Sequence, residues 1–531
     1  MMRKILVIRL GSLGDVLLTS PTVLNLKISF PESKLTYLTK ERFRSVVERF
    51  DGVGNVVTWP ENMGKRSEFL FLALLRKMDF DIVVDLHGNP RSWLTRKILP
   101  ATHTVVYPKR RWERRQAVDS DQLPQSWPHT IDLYNDCLRQ LGGRIPAATP
   151  IIIPDDSMSL NPDVMISLNK KGPTALIAPG AAHSTKAWPV KRFAQVAEQL
   201  HRDQGIHIIW ARSSFDNVDT EYFGSLCAEA LTTLTDWPIE KLASVIARCR
   251  LTIANDSGLA HLSSSVGTPV IALFGPTHPV LGFAPAGLFD RVLDVDESCR
   301  PCSLHGSKSC HREKRVCFDR LAVERVVEAA CGILTSDIRK QAGLFVDRDG
   351  TLIVDKNYLK DPDGVEFEEG AIEALKRAHA SGLKIVVVSN QSGVARGYFS
   401  IDDVERVNRR LLEMLAQEGI ELGGLYYCPH HPDGSNPKYT RECRCRKPAP
   451  GMLHQAAIEL GIDLRKSWVV GDKIDDVNLS RVVGARSVLV RTGYGREEER
   501  RFVPSRFEGR TIVADNLLAA VREIERVGSC D

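Results

Sequence analysis

At 531 residues, with 43% hydrophobic and 26% charged side chains, the chain has the composition of an ordinary globular protein of about three domains. A net charge of +5 over this length leaves no nucleic-acid footprint, and no apolar run reaches the roughly 18 residues of a membrane helix. Of twelve cysteines, seven fall in two clusters, which suits metal or redox chemistry rather than a secreted disulfide frame.

The chain starts basic, but its first apolar run is short and is broken by Arg9 and Gly11, so it is no signal peptide, and the expected location is the cytoplasm. Residues 5–8 read as a strand, followed by the turn Arg9-Leu10-Gly11-Ser12-Leu13-Gly14-Asp15 and an apolar helix. That order opens a Rossmann-type half: glycines let the backbone approach a ligand, and a helix N-terminus favours anions. Asp15 alone is equally well a cap. Strands follow at 34–38, 53–58 and 82–84, with a helix at 69–77, and the alternation implies a parallel sheet. Residues 108–128 carry Lys109, Arg110, Arg111, Arg114 and Arg115 and read as a long excursion, either a solvated loop or a basic surface for an anionic acceptor or lipid headgroups.

A second half begins near Gly172. Strands at 174–178, 206–210, 251–254 and 270–274 are expected, and three of them end in polar, glycine-bearing tips. These tips are Pro179-Gly180-Ala181-Ala182-His183-Ser184-Thr185-Lys186, Asn255-Asp256-Ser257-Gly258-Leu259-Ala260-His261, and Gly275-Pro276-Thr277. Small residues, hydroxyls and one lysine between strand and helix suit a diphosphate.

Together with Arg9–Asp15, these tips make residues 1 to about 335 resemble glycosyltransferase family 9, the lipopolysaccharide heptosyltransferases. The resemblance implies two Rossmann-like domains of GT-B type facing across a cleft, 1–165 on the acceptor side and 166–335 on the nucleotide-sugar side. It implies Asp15 as the base that deprotonates the acceptor hydroxyl and Lys186 as the counter-charge of the donor diphosphate. Asp256, Ser257, Gly258 and His261 then hold the nucleotide sugar. The implied donor is ADP-heptose, and the implied acceptor is the lipopolysaccharide core at the inner face of the cytoplasmic membrane, where the chain would sit peripherally. No nucleic acid is expected as a partner.

Near the end of this part stand Cys299, Cys302, Cys310 and Cys317, four thiols in nineteen residues. Their spacing suits zinc or an iron–sulfur cluster, and equally a set of reduced loop thiols, and the sequence leaves the choice open.

Residues 336–342 read as a linker to a third domain, 343–531. Its first strand, Leu344-Phe345-Val346, delivers Asp347 and Asp349 at its carboxyl end, where ligands bind in an open α/β sheet. Two carboxylates so close call for a cation between them or a shared proton. Further strands at 384–388 and 468–470 end in Ser389-Asn390-Gln391-Ser392 and in Gly471-Asp472-Lys473, with Arg446-Lys447 between them. This four-part order resembles the haloacid-dehalogenase-type phosphatases, which have a Rossmannoid fold. The resemblance implies Asp347 as nucleophile, Asp349 as general acid and base, and Mg2+ on the Asp347 carboxylate, the Asp349 carbonyl and Asp472. Ser389 and Lys447 would hold phosphoryl oxygens, with Asp475 and Asp476 in support.

Cys428, His430, Cys443 and Cys445 have the makings of a closed tetrahedral zinc set, with His431 as an alternative ligand. Placed just before Arg446 and Lys447, the metal would pin a loop that lacks a core. Over 343–495 the motifs resemble the heptose 1,7-bisphosphate phosphatases, with histidinol-phosphate phosphatases sharing much of the pattern. Asp355, Tyr358, Ser389, Asn390, Gln391, Ser392, Arg446, Lys447 and Lys473 are the implied substrate contacts. The expected protein is therefore bifunctional: it removes the C7 phosphate of heptose bisphosphate and transfers heptose. The alternative is a phosphatase of another monoester fused to a non-catalytic nucleotide-sugar module.

Overall fold

The apolar runs read from the sequence become the strands of three parallel sheets in a computed structural model, which describes all but residues 1, 62–63, 120–125, 156–157, 159, 161–163, 166–167, 169–171, 214–229, 307–308, 311, 313, 505–506, 508 and 529–531. The chain divides into two units, one of residues 1–144 and 148–336, the other of 145–147 and 337–531.

The first unit holds two sheets. One contains β1 (Lys4–Ile8), β2 (Lys34–Lys40), β3 (Asn55–Trp59), β4 (Ile82–Asp85) and β5 (His103–Val106) in the order β3-β2-β1-β4-β5. The other contains β6 (Thr174–Ala178), β7 (His207–Arg212), β8 (Leu231–Thr235), β9 (Leu251–Asn255), β10 (Val270–Leu273) and β11 (Arg291–Leu293), ordered β11-β10-β9-β6-β7-β8. Every pairing is parallel, and the central strands are largely apolar and buried: Ile5, Leu6, Val7 and Ile8 are completely buried. The domain border expected at 165/166 falls where most residues lie outside the described ones.

The second unit carries β12 (Gly343–Asp347), β13 (Lys384–Asn390), β14 (Gly424–Cys428), β15 (Trp468–Gly471), β16 (Arg486–Val490) and β17 (Thr511–Ala514) in the order β14-β13-β12-β15-β16-β17. The chain first builds outward from β12 through β13 and then returns to β15 on its other side. The switch point of the sheet thus lies at β12 and β15, and it opens a crevice beyond their carboxyl ends. Asp347 is the last residue of β12 and lies opposite Val388, one residue before Ser389. Behind the crevice, Leu344, Val346, Ile385, Val387 and Val470 pack with the helices Ala371–Ala380, Ile401–Gln417 and Leu517–Gly528 into one core.

Two expectations change. The excursion at 108–128 contains a helix, Arg111–Asp119, whose buried residues Arg114 and Ala117 lie three apart and so on one side. Residues 337–342 are bonded to the second unit: Arg339 pairs with Asp463 at 3.1 Å, and Lys340 donates its amide to Gly461. Among the described residues no helix is long and apolar enough to cross a membrane.

Candidate functional site

In the second unit the site is organised around a buried ammonium. Lys447 Nζ lies 2.6 Å from Asp347 Oδ1 and 2.6 Å from Asp476 Oδ1, and it donates to the Val388 carbonyl at 3.2 Å. Its side chain is 4% exposed. Asn390 fixes the lysine's backbone from both sides, accepting its amide at 3.0 Å and donating to its carbonyl at 3.2 Å. Asp476 has its second oxygen on the Lys473 amide, so both of its oxygens are engaged.

Asp472 is different. Its Oδ2 accepts the Tyr494 amide at 2.9 Å, while its buried Oδ1 accepts no hydrogen bond and has the Lys473 ammonium at 3.5 Å. Oxygens of Asp347, Asp472 and Asp476 lie within 4.8 Å of one another. Burial first, and then the charge of Asp347, push the Asp472 carboxyl up to about 8. Three clustered carboxylates thus have too little positive charge among the neighbouring protein groups, and an orphaned oxygen is aimed into the cluster. That donor set fits a hard divalent cation held by oxygens. Asp347 and the free oxygen of Asp472 could hold it, while Asp476 is the counter-charge of Lys447. Gly350 makes room: its φ is +84°, and a Cβ there would stand 2.5 Å from Asp472 Oδ2.

Asp349 lies on the other flank. Arg348, itself 1% exposed, grips both its oxygens at 3.0 and 3.1 Å, and Gln391 donates to Oδ2 at 2.9 Å. Burial opposes ionisation, but the Arg348 charge and these bonds hold the carboxyl below its usual range. Arg348 in turn donates to Asn408 Oδ1 at 2.7 Å, from the helix Ile401–Gln417. The crevice of about 270 Å3 is lined by all of the expected contact residues, Asp355, Tyr358, Ser389, Asn390, Gln391, Ser392, Arg446, Lys447 and Lys473.

Cys428 ends β14, and the loop beyond it gathers three more donors. The sulfur–sulfur distances among Cys428, Cys443 and Cys445 are 3.1, 3.3 and 3.5 Å, and His430 Nδ1 lies 3.4 and 3.7 Å from two of these sulfurs. These are close to the edges of a tetrahedron about 3.8 Å on a side that zinc–sulfur bonds would span, so three thiolates and one imidazole fit a closed metal site. His431 is engaged elsewhere, with Arg396 and the Asp433 amide. Arg446, next to Cys445, donates to the His430 carbonyl at 3.2 Å.

The first unit holds a larger cleft of about 900 Å3 between its two sheets, lined by Asp15, Lys186, Asp256, Ser257, Gly258 and His261 among others. Gly14 lies so near that a Cβ would stand 2.6 Å from His261, and a Cβ on Gly258 would stand 2.9 Å from Leu13. The two Gly-bearing turns are thereby brought to one place. Asp15 Oδ2 meets Arg9 at 2.6 Å and both the amide and hydroxyl of Ser12. Burial works against its charge, but Arg9 and Ser12 keep the carboxyl below its usual range. Lys186 pairs with Asp256 at 2.6 Å, and Thr277 donates to the same oxygen. Ser257 Oγ and His261 Nδ1 are buried without hydrogen-bond partners at the start of the helix Gly258–Ser265. Unpartnered donors at a helix N-terminus suit an anionic ligand. Burial pushes the His261 imidazole down to about 4, so it is neutral at physiological pH.

Residues 71–311 match the family model of glycosyltransferase family 9 (heptosyltransferase), and residues 444–520 match a HAD-hydrolase-like model. The chain is 47% identical over 153 residues to the D-glycero-beta-D-manno-heptose-1,7-bisphosphate 7-phosphatase of Pasteurella multocida (strain Pm70), covering 28% of this chain and 82% of that protein. The chain belongs to this phosphatase family. The phosphatase of the same description from Haemophilus influenzae is 41% identical over 187 residues, 35% of this chain and 95% of that one. A glycosyl transferase family 9 structure from Veillonella parvula DSM 2008 covers 62% of this chain and 97% of its own, with 23% identity and a TM-score of 0.51, which establishes a common fold for the first unit.

Within the heptose bisphosphate phosphatase unit, sequence reasoning missed Asn408. Asn408 lies sixty residues from Arg348 and sixteen before the next strand, outside every motif. Its signal is periodicity: Val404, Val407, Leu411 and Leu415 mark the buried face of its helix, and Asn408 is the polar residue on that face. Of the two supporting carboxylates, Asp476 pairs with the buried lysine at 2.6 Å.

Proposed function

We propose that the protein is a bifunctional enzyme of lipopolysaccharide heptose metabolism. The second unit hydrolyses the C7 phosphate of D-glycero-D-manno-heptose 1,7-bisphosphate, and the first transfers heptose from ADP-heptose to a lipid-linked core acceptor. The observation that carries the phosphatase reading is the Asp347–Lys447–Asp476 arrangement at the sheet's switch point, beside the orphaned oxygen of Asp472.

Asp347 is placed to attack phosphorus in line, forming an aspartyl-phosphate and breaking the bond to the C7 oxygen. Lys447 holds the nucleophile in place and offers its charge to the phosphoryl oxygens, with Ser389 at the neighbouring strand end. Asp349 protonates the departing sugar oxygen and then takes a proton from the water that opens the acyl phosphate. The Arg348 fork favours the ionised carboxylate, so Asp349 takes up from solvent the proton it gives to the leaving oxygen only when the anionic phosphate binds beside it and raises its proton affinity. Mg2+ held by Asp347 and Asp472, when bound, supplies the positive charge that lets an anionic nucleophile approach an anionic ester. Zn2+ on Cys428, His430, Cys443 and Cys445 would hold the loop that presents Arg446 and Lys447.

In the first unit Asp15 is the base for the acceptor hydroxyl. Arg9 keeps it ionised and oriented, at some cost in basicity. Lys186 trades Asp256 for the donor's diphosphate, and Ser257 and His261 take up the bonds they lack. Purified protein tested on a panel of phosphate monoesters, with ADP-heptose transfer assayed alongside, checks both halves. Turnover of heptose 1,7-bisphosphate should exceed that of histidinol phosphate by orders of magnitude. A preference for histidinol phosphate, or transfer that is absent with every core acceptor, would refute the corresponding half.

A further inference from the structure

Neither activity uses the four thiols between residues 299 and 317. None is in a disulfide, and Cys299, Cys302, Cys310 and Cys317 all line one small cavity of the first unit, together with Arg312 and Arg315. Cys302 turns back on Cys299, with its Sγ 3.2 Å from the Cys299 carbonyl, while its amide is anchored on Pro276 at 2.8 Å. Cys310 Sγ lies 3.8 Å from the Lys314 carbonyl, and Cys317 is buried at 6% exposure.

The segment has little else to hold it. Among the described residues between Leu293 and Phe318, Pro301 and Cys317 are the only buried apolar side chains, and β11 ends before the segment begins. Four convergent sulfurs in a stretch without its own core are the ligand count and type of a tetrahedral thiolate site. Such a site carries excess negative charge once its protons leave; Arg315 and Arg312 on the cavity wall supply part of the balance, with Arg312 already shared with Glu297 at 3.4 Å and Arg300, beside Cys299, paired with Asp294 at 3.0 Å.

We propose that Cys299, Cys302, Cys310 and Cys317 form a second, separate metal site that takes a thiolate-seeking divalent ion, zinc or ferrous iron. On binding, the thiols give up their protons to solvent and exchange their contacts with carbonyls for metal–sulfur bonds. The sulfurs stand further apart than the Cys428 set, whose ligand atoms all lie within 4.8 Å, so loading draws the segment together. What it tightens is the wall of the nucleotide-sugar cleft. Arg315 donates to the Ser184 and Ala187 carbonyls at 3.0 and 3.1 Å, and Thr185 donates to the Gly306 carbonyl, on either side of Lys186. The metal is thereby a structural clamp on the loop that carries Lys186.

The test is the metal content of the full chain, purified without chelator, by elemental analysis that separates zinc from iron. It is run on the unaltered protein, on Cys443→Ser and on the double variant Cys299→Ser/Cys302→Ser. The Cys443→Ser protein should keep one equivalent of zinc or iron, and its stripped form should show a thiolate-to-cobalt charge-transfer band on adding Co2+ alone. The double variant should bind one equivalent less than the unaltered protein and keep its phosphatase activity. If the double variant proves insoluble, the Cys443→Ser measurements decide by themselves. A Cys443→Ser protein that holds neither zinc nor iron and gives no cobalt band would overturn the site, as would an unchanged metal content in a soluble double variant.

Discussion

At Lys447 one ammonium serves two buried carboxylates at 2.6 Å each, so its loss would strand both. Breaking a buried pair by removing one partner typically costs about 3–5 kcal/mol. Lys447→Met should therefore lower the melting temperature of the phosphatase unit and reduce kcat by about 100-fold or more, since a preorganised charge at the phosphoryl group is also gone. Thermal unfolding and steady-state kinetics on the same preparation would show both effects, and a stable variant with unaltered kcat would contradict the role. Asn408 acts one step further out, through Arg348. Asn408→Ala should lower kcat about tenfold with KM nearly unchanged, because it loosens Asp349 without touching bound substrate. A raised KM at constant kcat would place Asn408 in substrate binding instead. At this scale the sequence was readable wherever a functional residue sits at the carboxyl end of a strand, as Asp347, Ser389 and Asp472 do. It was opaque where a partner comes from the middle of a helix: nothing near residue 408 points to an arginine sixty positions earlier.

The helix Ile401–Gln417 and the cysteine loop show how elements carry these residues. The helix starts at Ser400, which exchanges hydrogen bonds with Asp403 in a capping box, and it buries Val407, Leu411 and Leu415 against the sheet and Val404 against Val394 and Phe399. Asn408 is thus placed by apolar packing on either side of it. The cysteine loop has no comparable core, and its order rests on the ligand set. Cys443→Ser should remove one equivalent of metal and raise KM while lowering kcat, without global unfolding, because Arg446 and Lys447 follow within four residues. Metal analysis with kinetics checks this, and full activity in a metal-free preparation would remove the structural role. The helix Arg111–Asp119 was not legible. Its three basic side chains and exposed Trp112 mask the spacing of Arg114 and Ala117, and what orders Arg114 is a distant hydroxyl, that of Thr130 at 3.1 Å.

Over the whole molecule, the division into three sheets was plain because each begins with a largely apolar strand and a glycine-bearing turn. The edge strands were harder to read: β11 has three residues, β5 four, and their pattern is too short to carry a period. The two activities reside in units with separate cores, so they should fail separately. Asp15→Ala should abolish heptose transfer and leave phosphate release unchanged, measured on one preparation. A parallel fall in both would mean that the units do not act independently. The most direct measurement is phosphate release from D-glycero-D-manno-heptose 1,7-bisphosphate by the full chain and by Asp347→Asn, with the position of the remaining phosphate read by phosphorus NMR. The unaltered protein should release one equivalent and leave the 1-phosphate, and Asp347→Asn should release none while still transferring heptose. Loss of the C1 phosphate instead, or undiminished release by Asp347→Asn, would contradict Asp347 as the nucleophile of a 7-phosphatase.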